Sequence, residues 1–114
     1  MKIRVRDHVQ LSLDRMARIS LAATDRALLD LYCVAPGQSQ RPHVHEGQDK
    51  IYYVIEGAGR FRLGADEHRL EAGEALLAPA GAEHGLVNDG SAPLVVLVVV
   101  TPPPPHAGPG GARP

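Results

Sequence analysis

The sequence predicts an all-β fold, a sandwich or barrel built as a single domain. Two observations carry this. Short apolar segments recur along the 114 residues, separated by Gly, Pro, Asn and Asp, and regularly spaced strands with turn signals between them mark such a fold. Where a segment is partly polar, it alternates. In "GRFRLG", Arg60 and Arg62 face one way and Phe61 and Leu63 the other, as on a strand with one solvated face. A chain of this length suits one domain and can bury a core without staples.

The elements follow in order. The opening "MKIRVRDHVQ" is too polar for a signal peptide. Residues 12–17, "SLDRMA", offer a weak helical candidate, a single turn capped by Ser12. "ARISLAAT" and "ALLDLYCVA" flank a turn signal at Asp25 and Arg26. On the second of these, Asp30 and Tyr32 share one face while Leu29, Leu31 and Cys33 share the other, and Asp30 is expected in solvent. "KIYYVIE" and "RFRLG" flank "GAG" and read as a hairpin. "HRLE" is brief, "EALLAPA" runs into "AGAEHGLVN", and "DGSAP" breaks the chain before "LVVLVVVT". Phe61, Leu63, Leu77 and Leu86 are expected to fill the core.

The segment "LVVLVVVT", residues 94–101, is apolar on both faces. Such a strand is buried on both sides, or its outer face meets a partner chain. A homodimer is therefore expected, with cover by the chain's own N-terminal segment as the alternative. The domain spans residues 1–101. The tail 102–114, "PPPPHAGPGGARP", cannot form strand or helix, because Pro removes donors and Gly raises the entropy cost. It reads as a passive extended tail, and His106 within it receives no role.

Composition excludes several classes. Formal net charge is -1 with acids and bases interspersed, so nucleic acid is not an expected partner. The longest apolar run is far too short to span a bilayer. The single cysteine, Cys33, permits no internal disulfide. Its apolar setting suggests a buried, inert thiol. A soluble, cytoplasmic protein of bacterial composition is expected.

The chemistry lies in two linked patterns. The first runs from Gly37 through five residues to His43, one to His45, four to Lys50 and six to Gly57. The second, "GEALLAPAGAEHGLVN", places Gly73, Pro79, Gly81, His84 and Asn88. On a strand alternate residues share a face, so His43 and His45 point together into the fold, and His84 starts a later strand that can lie opposite. Three imidazoles converging from two strands make one face of a metal's coordination sphere. His8, His68 and His106 have no partner spacing and read as surface residues.

The pair of motifs resembles the cupin family. The second matches that family's pattern at every defined position. The first matches at both histidines and both terminal glycines, and departs where the family has Glu and this chain has Lys50. The resemblance covers residues 37–57 and 73–88. It implies a single-domain cupin-type β-barrel (a double-stranded β-helix, or jelly roll), a divalent metal on His43, His45 and His84, and a pocket in the barrel mouth. The metal stays open among Fe, Zn, Ni, Mn and Cu, since imidazole suits them all.

Lys50 changes this picture. An ammonium within about 4 Å of a dication is repelled by several kcal/mol at intermediate dielectric. Three arrangements are open. Lys50 turns aside to pair with Glu46, Asp49 or Glu56, the favoured one. Or the strand slips or bulges so that Asp49 or Gln48 supplies a fourth ligand. Or the ammonium itself occupies the metal position. If Lys50 faces the pocket, burial lowers its pKa and suits it to act as a general base or substrate hook. Otherwise it is an ordinary salt-bridged or surface lysine. Tyr52 shares its face and lines the cavity, while Tyr53 points away, so Lys50 and Tyr52 are the catalytic candidates. Arg41 could bind a substrate carboxylate but is expected in solvent. Asn88 reads as a structural hydrogen-bonding residue near the "NDG" turn.

Two functions follow. One is a metal-dependent enzyme acting on an oxygen-rich small molecule, as a dioxygenase, isomerase or decarboxylase. The other is a non-catalytic small-molecule binding or sensing protein, with or without metal. Fold alone does not separate them.

Overall fold

The computed structural model describes residues 1–104, and these form an all-β structure of two antiparallel sheets. In chain order the strands are β1 (Ala17–Ala23), β2 (Leu28–Val34), β3 (Ser39–His43), β4 (Asp49–Glu56), β5 (Ala58–Leu63), β6 (Asp66–Glu71), β7 (Ala75–Ala78), β8 (His84–Val87) and β9 (Leu94–Thr101). The larger sheet has the order β1-β2-β9-β4-β7 and the smaller β3-β8-β5-β6. The expected tail beyond Pro104, His106 included, lies outside the described residues.

The turn at Asp25 closes a true hairpin. Thr24 accepts the N–H groups of Arg26 and Ala27 on its hydroxyl, each at 3.2 Å, and β1 then pairs with β2. The hairpin expected across "GAG" does not form. β4 pairs with β7 and β9, whereas β5 pairs with β6 and β8. The chain therefore passes from one sheet to the other at Gly57. There φ is +80°, and a Cβ would run into the Pro93 carbonyl, so only glycine fits the corner.

The helical turn expected at residues 12–17 is also absent. Ser12 gives its carbonyl to the Gln38 side chain at 2.7 Å, and Met16 is drawn into the core. A 3₁₀ turn stands instead at Val5–His8.

The core lies between the sheets, where Tyr52, Val54, Phe61, Leu86, Val96 and Val98 interdigitate. Of the four residues expected there, Phe61 and Leu86 are buried, Leu63 is half-buried and Leu77 is exposed. Leu77 pairs with Ile51 on the outer face of the larger sheet, so it takes the opposite parity to that expected. On that outer face Leu31, Cys33 and Val95 form a second apolar cluster with Val5, Ile19 and Leu97 packed against it. The N-terminal segment thus covers part of the sheet. Ile51, Tyr53 and Leu77 stay exposed.

Asn88 ties the barrel end together. Fully buried, it donates to the Val34 and Ala92 carbonyls, each at 2.9 Å, and accepts the Gly90 N–H at 3.0 Å. Replacing Asn88 by Ala strands two carbonyls, and each buried orphan costs about 1–3 kcal/mol. Thermal denaturation of Asn88→Ala is therefore expected to show a clear loss of stability. An unchanged midpoint contradicts this.

Candidate metal centre

His43 and His84 stand directly opposite each other on β3 and β8, with a bulge between Gln40 and His43. His45 follows two residues later. It lies in the loop after β3 rather than on the strand, and the Gly81 N–H donates to its carbonyl at 2.9 Å. Val44, between the two histidines, is exposed. Alternation thus carries the inward direction past the strand's end. The three rings meet at centroid separations of 4.5, 4.3 and 5.3 Å. One ring nitrogen from each lies within 4.8 Å of the others.

The backbone fixes which nitrogen faces the centre. His43 Nδ1 donates to the Arg41 carbonyl at 2.8 Å, and His84 Nδ1 to the Ala82 carbonyl at 3.0 Å. A carbonyl only accepts, so in each neutral ring the proton sits on Nδ1 and the lone pair on Nε2. The Nε2 atoms of His43, His45 and His84 are buried and have no hydrogen-bond partner among the described residues. Burial, with nearby Lys50 acting in the same sense, depresses all three rings' pKa values, those of His45 and His84 to about 4. Three convergent, neutral, unpartnered imidazole nitrogens fit a divalent transition metal. Among the described residues, no carboxylate or thiol joins this group.

The structure overturns the favoured reading of Lys50. It does not turn aside to Glu46, Asp49 or Glu56. β4 holds Lys50, Tyr52 and Val54 on its inner face, and Lys50 is only 2% exposed. Its ammonium lies 5.1 Å from the ring centroids of both Tyr32 and Tyr52. Two aromatic faces thus replace water around the charge. Burial, then the field of Arg18, pulls its pKa down to about 7, with Asp30 acting in the opposite sense.

No strand slip brings Asp49 in. Asp49 and Lys50 keep register with Thr101 and Val100, and the Asp49 carboxylate accepts the Ala80 N–H at 2.8 Å. Gln48 sits half-buried in the loop before β4. Arg41 is exposed, and its carbonyl rather than its guanidinium serves the site, by holding His43.

Tyr52 is fully buried with its ring 6.2 Å from that of His84. Its hydroxyl donates to Gln40 Oε1 at 2.9 Å, and Gln40 Nε2 donates to the Tyr32 hydroxyl at 3.3 Å. Burial holds the Tyr52 phenol protonated, its pKa raised well above the usual range.

Arg18, Asp30, Tyr32 and Gln40 are site residues that sequence reasoning passed over. Asp30 is buried, not solvated. A signal existed. Asp30 interrupts "LLDLYCV", a strand apolar on both faces, and a charge in such a strand has to be compensated.

A family model for the cupin domain matches residues 30–100, and the chain belongs to the cupin family. It is similar over nearly its whole length to the solved structure of the protein TT1209 from Thermus thermophilus. The identity is 43% and the TM-score 0.88, covering 91% of this chain and 100% of that one. It is 41% identical over 64 residues to the tetracenomycin polyketide synthase protein TcmJ of Streptomyces glaucescens, covering 56% of this chain and 43% of that protein. It is 34% identical over 62 residues to an oxalate-binding protein of Thermotoga maritima, covering 54% of this chain and 51% of that protein. The chain thus spans about half the length of these curated relatives. Among the described residues, no helix is long and apolar enough to cross a membrane.

Proposed function

We propose that this cupin holds one divalent metal ion on His43, His45 and His84 and uses the site to bind an oxygen-rich small molecule inside the barrel. The carrying observation is the set of three buried Nε2 atoms with no hydrogen-bond partner among the described residues. Left so, each is a desolvated acceptor with nothing to offset its cost. Iron, zinc, nickel, manganese and copper all suit imidazole donors. A bound ion supplies a Lewis acid for ligand oxygens. The protein's own residues fix the tautomers of His43 and His84 through the Arg41 and Ala82 carbonyls and place buried Tyr52 and Lys50 on the inner face of β4. The likeness to a protein named for oxalate binding supports a ligand of this kind.

Dioxygenase, isomerase and decarboxylase chemistry are the catalytic forms of this reading. A non-catalytic binding or sensing role is the second reading. It is favoured by the buried lysine at the position where the resembling family carries its acid. Calorimetric titration of the metal-free protein with zinc tests the common core. One site per chain is expected. No binding at micromolar protein concentration overturns it.

The metal-free protein is also expected to lose stability on acidification. His45 and His84 have folded values of about 4 against an ordinary 6.5, and His43 is lowered in the same sense. Between those values the unfolded chain takes up protons that the folded chain refuses. The contribution of the imidazoles is therefore full above about pH 6.5 and declines as the pH falls toward 4. Melting temperatures measured across this window check the sign. A midpoint that rises on acidification contradicts it.

The outer face of the larger sheet is the proposed homodimer surface. Ile51, Tyr53 and Leu77 are exposed there beside half-buried Leu97 and Val99. A two-fold pair is the simplest cover for such a face. Sedimentation is expected to show a dimer at micromolar concentration and a monomer for Leu77→Glu. A clean wild-type monomer contradicts this. A cytoplasmic location is proposed as well, where buried Cys33 stays a thiol.

A further inference from the structure

Two residues of β3 stand opposite one residue of β8. Gln40 pairs with Leu86 and His43 with His84, so Arg41 and Pro42 together face Gly85. Such a bulge changes the face that every later residue of the strand takes. Gln40 is buried, Arg41 and Pro42 are both exposed, and His43 turns inward again. Strict alternation from Gln40 would instead place Pro42 and Val44 inside and send His43 and His45 outward. Both ends of the bulge are held inward by different partners. Gln40 accepts the Tyr52 hydroxyl proton at 2.9 Å and donates to the Tyr32 hydroxyl at 3.3 Å. His43 joins the imidazole cluster. One extra residue between them satisfies both.

Gly85 makes room for that residue. A Cβ there would lie 2.8 Å from the Gln40 carbonyl oxygen, 2.9 Å from the Pro42 nitrogen and 3.0 Å from the Pro42 Cα. All three are backbone atoms, which cannot swing aside as the end of a side chain can. Gly85 is buried and is not among the glycines of positive φ. Space, rather than backbone conformation, requires glycine at this position. Pro42 complements it. Having no N–H, it leaves no donor unpaired where the ladder is interrupted. The bulge also carries the Arg41 carbonyl, which accepts His43 Nδ1 at 2.8 Å. It therefore sets both the inward direction and the orientation of that ring.

We infer that Gly85 is a positioning residue of the candidate metal centre. By admitting the Arg41–Pro42 bulge it turns His43 and His45 from the outer face of β3 to the inner one. This rests on the reading that His43, His45 and His84 hold a metal. Gly85 offers no ligand atom of its own and acts through the backbone of the neighbouring strand. A side chain at position 85 pushes the bulge away, and the strand that then pairs regularly with β8 from Gln40 onward carries His43 to the wrong face.

The test is Gly85→Ala, read in two ways. In metal-free protein, the rings of His43 and His84 have centroids 4.3 Å apart, so their protons are expected to show a nuclear Overhauser contact. Gly85→Ala is expected to lose it while keeping the contact between Tyr52 and Phe61, whose centroids are 5.2 Å apart. In zinc titration the variant is expected to bind about 10–100-fold more weakly. Adding His43→Ala to it is expected to cost at most about a further twofold, because that ligand is already lost. Deleting Pro42 supplies the rescue. A regular ladder then keeps Gln40 with Leu86 and His43 with His84 and accommodates a Cβ at position 85. Gly85→Ala with Pro42 deleted is expected to regain the ring contact and a zinc affinity within about fivefold of wild type. Should Gly85→Ala alone fail to fold, the same deletion is expected to restore the fold. A His43–His84 contact that survives in Gly85→Ala overturns the inference, as do additive losses from Gly85→Ala and His43→Ala, or a deletion that rescues nothing. If the wild type takes up no zinc, the metal reading fails separately, and the ring contact in metal-free protein still decides this one.

Discussion

Replacing His43 and His84 together by Ala is expected to abolish stoichiometric metal binding while leaving the barrel folded. The two residues face each other across one strand pair. Their Nε2 atoms are two of the three donors the site owns. Loss of an outer-shell partner alone typically costs 10–100-fold in metal affinity, so loss of two direct donors is expected to cost roughly a thousandfold or more. The fold should tolerate the change. The core residues between the sheets are contributed by other positions, and removing two unpartnered polar nitrogens also removes their desolvation cost. Zinc titration of the double variant, with circular dichroism as control, gives the answer. Stoichiometric uptake by a folded double variant contradicts the assignment.

Lys50→Glu is expected to raise metal affinity by roughly tenfold to a hundredfold. The side chain at this position is 2% exposed on the inner face of β4, and its field acts on all three imidazoles. The exchange removes a cation and places a carboxylate where the resembling family carries its acidic ligand. At an effective dielectric near 20, a unit charge about 6 Å from a dication is worth about 5–6 kcal/mol, part of which is spent on desolvating the new carboxylate. Without metal the variant should be less stable than with it, because burial disfavours an ionised Glu. Calorimetry on both forms separates the outcomes. Unchanged affinity means that position 50 does not sense the ion. A drop means that another group, with Gln48 the remaining candidate, completes the site.

The fold class and the three imidazoles were legible in the sequence because both depend on local periodicity. Alternation sets the inward direction of His43, His45, Lys50 and Tyr52, and the turn glycines set where strands end. Which strands pair was less legible. "KIYYVIE" and "RFRLG" look like a hairpin, since a glycine-rich turn joins two strand-like runs. The long-range pairing of β4 with β7 and β9, and of β5 with β6 and β8, shows that the chain changes sheets there. The environment of Lys50 was hidden for a similar reason. Tyr32, Asp30 and Arg18 come from strands 18–32 residues away in sequence, and no local pattern announces that they share its wall. Leu77 and Asp30 both lie on the face opposite to the one their residue type suggests, one in solvent and one in the interior. In each case strand parity outweighs residue type.

The most direct measurement is elemental analysis of protein purified without added metal, wild type beside the His43→Ala, His84→Ala double variant. The account predicts close to one divalent transition-metal ion per wild-type chain and background levels in the variant. A wild-type protein that remains metal-free after equilibration with excess metal, or a variant that retains as much metal as the wild type, would contradict it.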